Sequence, residues 1–321
     1  MFGGAARTFA VGYLGLACTG ALTCRAASTL TGGECAPTAN AVNSATASQA
    51  YTIKLSSFVP SPNREAGVLL SARINGGPAL RLLLDSAAEG VVLDSRSAAK
   101  SSLVAGSDFV LVGAGNSATT AATTGTARTI EIGPLSFHGC PVQVVRGSVV
   151  EGVDGVVPTA LFRDFLIRLD LPGKALHLSP TAAVANVPAE GFIPVMPGRT
   201  LLFVKAMLER AHEGYVLLDT GSSYSVVSQE EGRALKAFLT APSSVRGANG
   251  VIDSKLLNAR IRFKVGGVEL SATSVVALDL TTLSRYNGVE IAGVLGFPEL
   301  RNSVLTIDYQ GAQVLIDAQA R

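Results

Sequence analysis

From Tyr51 onward the chain reads as short runs of Val, Leu and Ile broken by Gly, Pro, Asn and Ser. Runs of that length, bounded by turn residues, predict strands, and their number predicts an all-β protein. Helical patterns are few and short, around Glu230–Leu239 and over Pro158–Phe165. Residues 28–50 are small and polar with no apolar period, and read as a flexible linker. Ahead of them stand Arg7 and the apolar run 9–24, followed by small residues. That run is short of the roughly 20 apolar residues a membrane span needs, so residues 1–27 read as an export signal.

The apolar pattern repeats. VLLSARINGGPALRLLLDS at 68–86 aligns without a gap on LFVKAMLERAHEGYVLLDT at 202–220, each predicting strand, turn, strand and a polar loop. DGVVPTALFRDFLIRLDLPGKALHL at 154–178 aligns on AGVLGFPELRNSVLTIDYQGAQVLI at 292–316. The offset is 134 in the first pair and 138 in the second, so the second copy carries four extra residues. Asp170–Gly173 and Asp308–Gly311 read as matching turns between paired strands. The chain therefore divides into two equivalent β units, 51–183 and 184–321. One loop carries Asp85-Ser86-Ala87-Ala88-Glu89, the other Asp219-Thr220-Gly221-Ser222-Ser223.

Suppose the two loops meet across an approximate twofold axis. Carboxyls a few ångströms apart in a partly dry site cannot both ionise cheaply, so they share one proton and titrate as a pair. One takes a proton from water while the other, protonated, polarises a carbonyl. This chemistry calls for no metal, cofactor or covalent nucleophile. The hydroxyls of Ser86 and Thr220 are placed to bond across to the opposite loop. Gly221 is expected to allow close backbone approach and torsions a side chain disfavours. Ser222 is expected to donate to the outer oxygen of Asp219.

These loops resemble those of the retropepsin-like and pepsin-like aspartic peptidases, the bacterial exported group in particular. The resemblance runs from about 65 to 316. It implies a two-lobed acid-peptidase β-barrel fold with one aspartate loop per lobe, Asp85 and Asp219 as the catalytic pair, and extended polypeptide as substrate. It also implies that Val294-Leu295-Gly296 packs beneath the loop, and that flaps fall near Val112–Gly125 and Arg246–Lys255. Glu89, Gly113 and Gly115 are the substrate-contact candidates. Because one chain supplies both aspartates, the resemblance implies a monomer. The first copy departs from the pattern. Ala87 stands where glycine is expected, Val156-Val157-Pro158 replaces the apolar-apolar-Gly element, and the first flap segment has no aromatic residue. Those departures support a competing reading, a peptidase fold that binds extended peptide without cutting it.

Composition narrows the remaining choices. The chain is 48% hydrophobic and 16% charged, which argues for a folded protein. A net charge of +2 with no Lys/Arg run gives no footprint for nucleic acid. His138, His177 and His212 are scattered, without zinc-site spacing. Cys18 and Cys24 lie in the export segment. Either is a formal site for a lipid anchor, but neither has the leucine three residues earlier that a lipidation site prefers. Cys35 and Cys140 remain, and either pair in an oxidising compartment or leave Cys140 as a buried thiol. GAGNSA at 113–118 fits a dinucleotide-loop pattern, but the β-branched sequence after it predicts a hairpin instead of the helix that motif needs. The serines near Asp219 lack a nucleophile-elbow pattern.

Overall fold

A computed structural model describes residues 8–10, 15–18, 36–39, 49–113, 119–187, 190–198, 200–209, 212–235, 238–247, 250–257, 260–273 and 275–318. Strands dominate and form three sheets. In the first lobe the sheet runs through Gly67–Ile74, Ala79–Asp85, Gly155–Pro158, Val91–Asp94, Leu135–Val145, Thr119–Ile132 and Val104–Gly113. Pairing of Ile130 with Ile74 and Glu131 with Arg73 brings this sheet back on itself as a closed barrel. In the second lobe the order is Phe203–Leu208, His212–Asp219, Ile291–Gly296, Ser225–Ser228, Val275–Leu278, Gly250–Leu257 and Phe238–Gly247. The two orders are the same, element for element, which is the duplication in three dimensions.

The third sheet joins the lobes. Phe165–Asp170 pairs antiparallel with Ser303–Asp308, flanked by Ala175–Pro180 with Tyr51–Lys54 on one side and Gln313–Ala318 with Ile193–Pro194 on the other. The predicted turns close its hairpins. Asp170 Oδ1 accepts the Gly173 N–H at 2.8 Å, and Asp308 Oδ1 accepts the Gly311 N–H at 2.8 Å. Inside this frame one apolar core spans both lobes, with Phe137, Phe165, Phe263 and Phe297 fully buried in it.

Helices differ from the expectation. The pattern over Glu230–Leu239 yields only Gln229–Ala234, because Phe238–Gly247 is drawn into a ladder with Gly250–Leu257. Pro158–Phe165 holds only a 3-10 turn, Thr159–Phe162, before the strand that starts at Phe165. Helices at Ser95–Lys100, Thr281–Asn287 and Phe297–Leu300 are too short to show a helical period in the sequence. The first of these and Gln229–Ala234 are equivalents, each capped by the residue that ends the preceding strand. Asp94 accepts from Ser97 N–H at 2.6 Å, and Ser228 from Glu231 N–H at 3.2 Å.

Inside the segment read as a linker, Ala36–Ala39 is a strand on Leu135–His138. Within residues 1–27, Thr8–Ala10 lies beside Ser244–Arg246 and Gly15–Cys18 beside Val110–Gly113. Among the described residues no helix is long and apolar enough to cross a membrane.

Candidate active site

Each aspartate ends a strand that is paired with a neighbour on both edges. Leu84 and Asp85 lie beside Val157 and Pro158 in parallel register, and Leu218 and Asp219 beside Leu295 and Gly296. Both aspartates have no exposed surface. A strand flanked in this way carries its terminal side chain into the centre of the molecule, where the two lobes meet.

Four hydrogen bonds lock the two loops together. Ser86 Oγ donates to the Leu218 carbonyl at 2.8 Å, and Thr220 Oγ1 donates to the Leu84 carbonyl at 2.9 Å. In return, Thr220 N–H donates to Ser86 Oγ and Ser86 N–H to Thr220 Oγ1, each at 3.1 Å. Each hydroxyl thus satisfies a carbonyl and an amide of the partner lobe, in a place that water does not reach. The inner carboxylate oxygens are held locally. Ala87 N–H donates to Asp85 Oδ1 at 2.7 Å and Gly221 N–H to Asp219 Oδ1 at 2.9 Å.

The other oxygens, Asp85 Oδ2 and Asp219 Oδ2, are buried and have no hydrogen-bond partner among the described residues. Burial is the main reason both carboxyls hold protons more tightly than usual. Asp85 is raised well above the ordinary range, by burial and then by the charge of Asp219. Asp219 is pushed up to about 7, because burial outweighs the N–H groups of Gly221 and Ser222 that favour its charged form. The two carboxyls are coupled, so they titrate as a pair.

Two supporting roles expected from the sequence need correction. Gly221 is not in a left-handed conformation, so its backbone needs no glycine torsion. What it supplies is space, since a Cβ there would lie 2.5 Å from Asp85 Cγ. Ser222 does not donate to Asp219. Its Oγ donates to the Tyr224 carbonyl at 2.8 Å, closing a local turn, and only its backbone N–H favours the Asp219 carboxylate. Of the substrate-contact candidates, Glu89 is half-buried and has an interaction of its own. Gly113 ends the first arm of the lobe-one hairpin, and Gly115 lies outside the described residues. The hairpin arms of both flap candidates are paired strands, with the tips at 114–118 and 248–249 outside the described residues.

The departures of the first lobe are accommodated by packing. Ala87 is not in a positive-φ conformation, and it is buried as part of an apolar cluster whose other buried members, Leu201, Phe203 and Leu217 among them, belong to the second lobe. Pro158 is matched in a similar way. In the second lobe, Gly296 N–H donates to Ser225 Oγ at 2.9 Å, and Ser225 Oγ in turn donates to Glu299. By the offsets 138 and 134, the first-lobe counterparts of Gly296, Ser225 and Glu299 are Pro158, Val91 and Leu161. Donor, relay and acceptor have all become apolar together, so no buried polar group is stranded.

Sequence reasoning missed three features. Ser225 and Glu299 were recoverable, as polar residues facing Val91 and Leu161 in the aligned copies. Thr159 Oγ1 and the Tyr309 hydroxyl form a 2.7 Å hydrogen bond between the lobes, and burial raises that phenol while the charge of Asp85 adds to the effect. Arg64 reaches from the first lobe onto the Asp219 loop, where its Nη2 donates to the Ser223 carbonyl at 3.2 Å. No local pattern marks either contact. Among the described residues no group of three or more His, Cys, Asp or Glu is placed to hold a metal ion.

Of the two alternatives left open for Cys140, a disulfide or a buried thiol, the structure has the disulfide.

A family model described as aspartyl protease matches the chain twice, over residues 70–162 and 204–298. Among solved structures the fold is similar to the crystal structure of aspartic proteinase from Irpex lacteus. The TM-score is 0.53 over 85% of this chain and 98% of that one, at 13% identity. No curated protein matches the chain.

Proposed function

Since the chain belongs to the aspartyl protease family, we propose that it is an aspartic endopeptidase in which Asp85 and Asp219 activate water against a peptide bond. The observation that carries this reading is the reciprocal Ser86–Thr220 lock, which holds the two buried carboxyls in one frame. Two coupled carboxyls that hold one proton between them supply one base and one acid. We take Asp219 as the base, which accepts a proton from water as that water's oxygen attacks the scissile carbonyl carbon. Asp85, still protonated, gives its proton to the carbonyl oxygen, and a neutral gem-diol forms. On collapse Asp219 passes its proton to the amide nitrogen as the C–N bond breaks. Asp85 recovers a proton from a diol hydroxyl as the carboxylic acid product forms.

The competing reading, peptide binding without cleavage, rested on Ala87 and Pro158. Ala87 keeps its local bond, and Pro158 replaces a hydrogen-bonded set with an apolar one that strands no polar group. Ala87 N–H holds Asp85 Oδ1 as Gly221 N–H holds Asp219 Oδ1, at 2.7 and 2.9 Å. Two further proposals follow. A single chain supplies both aspartates, which supports a monomer. The Cys140 disulfide supports export to an oxidising compartment.

The test is cleavage of a mixed peptide library by the purified protein from pH 3 to 8, read by mass spectrometry beside Asp85→Asn and Asp219→Asn. Cleavage lost in both variants supports the two-carboxylate mechanism. Loss in Asp219→Asn alone would make the first lobe structural. A parent that binds peptide but never cuts it would favour the binding reading.

A further inference from the structure

Arg64 belongs to the first lobe but stands against the aspartate loop of the second. Its Nη2 donates to the Ser223 carbonyl, and its guanidinium carbon lies 4.3 Å from the centre of the Tyr224 ring. These contacts hold the flat cation in place four and five residues past Asp219, and none of them neutralises it. The neighbouring carboxylate, Glu65, is turned away onto Lys174 at 2.6 Å. Among the described residues Arg64 forms no ion pair. It is only half-buried, and its fork carries five N–H donors, of which the Ser223 carbonyl takes one at Nη2.

The duplication shows what is missing beside it. At the offset of 134, Ser223 is the counterpart of Glu89. The first lobe carries an acid at this place in its loop, and the second does not. A cation therefore crosses the lobe boundary to a loop position whose own acid is absent.

We propose that Arg64 is a specificity-determining residue that takes a carboxylate of the substrate, so that the site prefers an acidic residue on one side of the scissile bond. The proposal rests on the reading that an extended peptide lies across the two aspartate loops. Arg64 is held beforehand by Ser223 and Tyr224, so little side-chain freedom remains to be lost when a carboxylate arrives. The planar fork suits bidentate contact. The carboxylate comes either from an Asp or Glu side chain or from the C-terminus of a short peptide.

The test measures binding separately from cleavage. Full-length Asp219→Asn protein is titrated with fluorescent, C-terminally amidated peptides that carry Glu, Gln or Lys at scanned positions. A matched Gln set with a free C-terminus distinguishes the two carboxylate sources. At one position Glu is expected to bind about fivefold tighter than Gln, with the gap shrinking in high salt. Adding Arg64→Gln should abolish the gap by weakening the Glu peptides selectively, while Arg64→Lys should keep much of it. Equal binding of Glu and Gln peptides by the Arg64 protein would overturn the proposal. So would an Arg64→Gln variant that weakens every peptide alike, since Arg64 would then only prop the loop. A parent that fails to cut these peptides while keeping the Glu preference would remove the peptidase reading and leave the Arg64 assignment standing.

Discussion

Gly221→Ala tests how tightly the carboxyl pair is held. A methyl at this position would lie 2.5 Å from both Asp85 Cγ and Oδ2 and 3.0 Å from Oδ1. Non-bonded heavy atoms prefer roughly 3.5–4.0 Å, so about 1 Å of movement is needed. The loop backbone is poorly free to provide it. Thr220 N–H is bound to Ser86 Oγ at 3.1 Å, and Gly221 N–H to Asp219 Oδ1 at 2.9 Å. The Asp85 carboxyl must therefore swing away from its partner. Misplacement of a reacting group by about 1 Å costs on the order of a hundredfold in rate, which is about 2.7 kcal/mol on the barrier. The accompanying overpacking should remove about 1–3 kcal/mol of stability. The control is Ala87→Gly in the first lobe, where the methyl is buried among apolar side chains. It should lose about 1–2 kcal/mol of stability from the lost methyl and the freer backbone, with kcat within about threefold of the parent. The assay is kcat and KM on one peptide, with thermal unfolding of each variant. A Gly221→Ala enzyme with parental kcat would refute the reasoning, because the loop would have yielded without disturbing the pair. A tenfold gain in Ala87→Gly would refute the claim that the first lobe's methyl is benign.

Three further expectations follow. Thr220→Val strands the buried Leu84 carbonyl and Ser86 N–H, so the urea midpoint should drop by the equivalent of about 2–6 kcal/mol, while Thr220→Ser should recover most of it. Both catalytic-candidate carboxyls bind protons more tightly folded than unfolded, so stability is greatest below their unfolded value near 4 and falls as pH rises towards the raised folded values, about 7 for Asp219 and well above the ordinary range for Asp85. Melting curves should show that decline in the parent and not in the Asp85→Asn/Asp219→Asn double variant, and a parent whose stability rose relative to that variant over the same interval would contradict it. Cys140→Ser should lose about 2–4 kcal/mol, and a reductant should lower the melting temperature of the parent but not of this variant.

Much of the protein is determined by its own local text. Short apolar runs bounded by turn residues specify strands, and two aligned copies specify two equivalent lobes with an aspartate at the end of the same strand in each. Asp170–Gly173 and Asp308–Gly311 set their turns through bonds that span only three residues. Other features depend on groups that are distant in sequence. Gly221 is needed because of Asp85, and the torsion argument drawn from its own position does not apply. Ser222 turns back onto the Tyr224 carbonyl and not onto Asp219. The helix expected to reach Leu239 stops early because a strand partner waits at Gly250–Leu257. Arg64 finds Ser223 across 159 residues of chain, and Thr159 finds Tyr309 across 150. Periodicity and turn chemistry act over a few residues, so one sequence displays them. Contacts across the lobe boundary depend on how two barrels close on each other, and only the tertiary structure decides which side chains meet there.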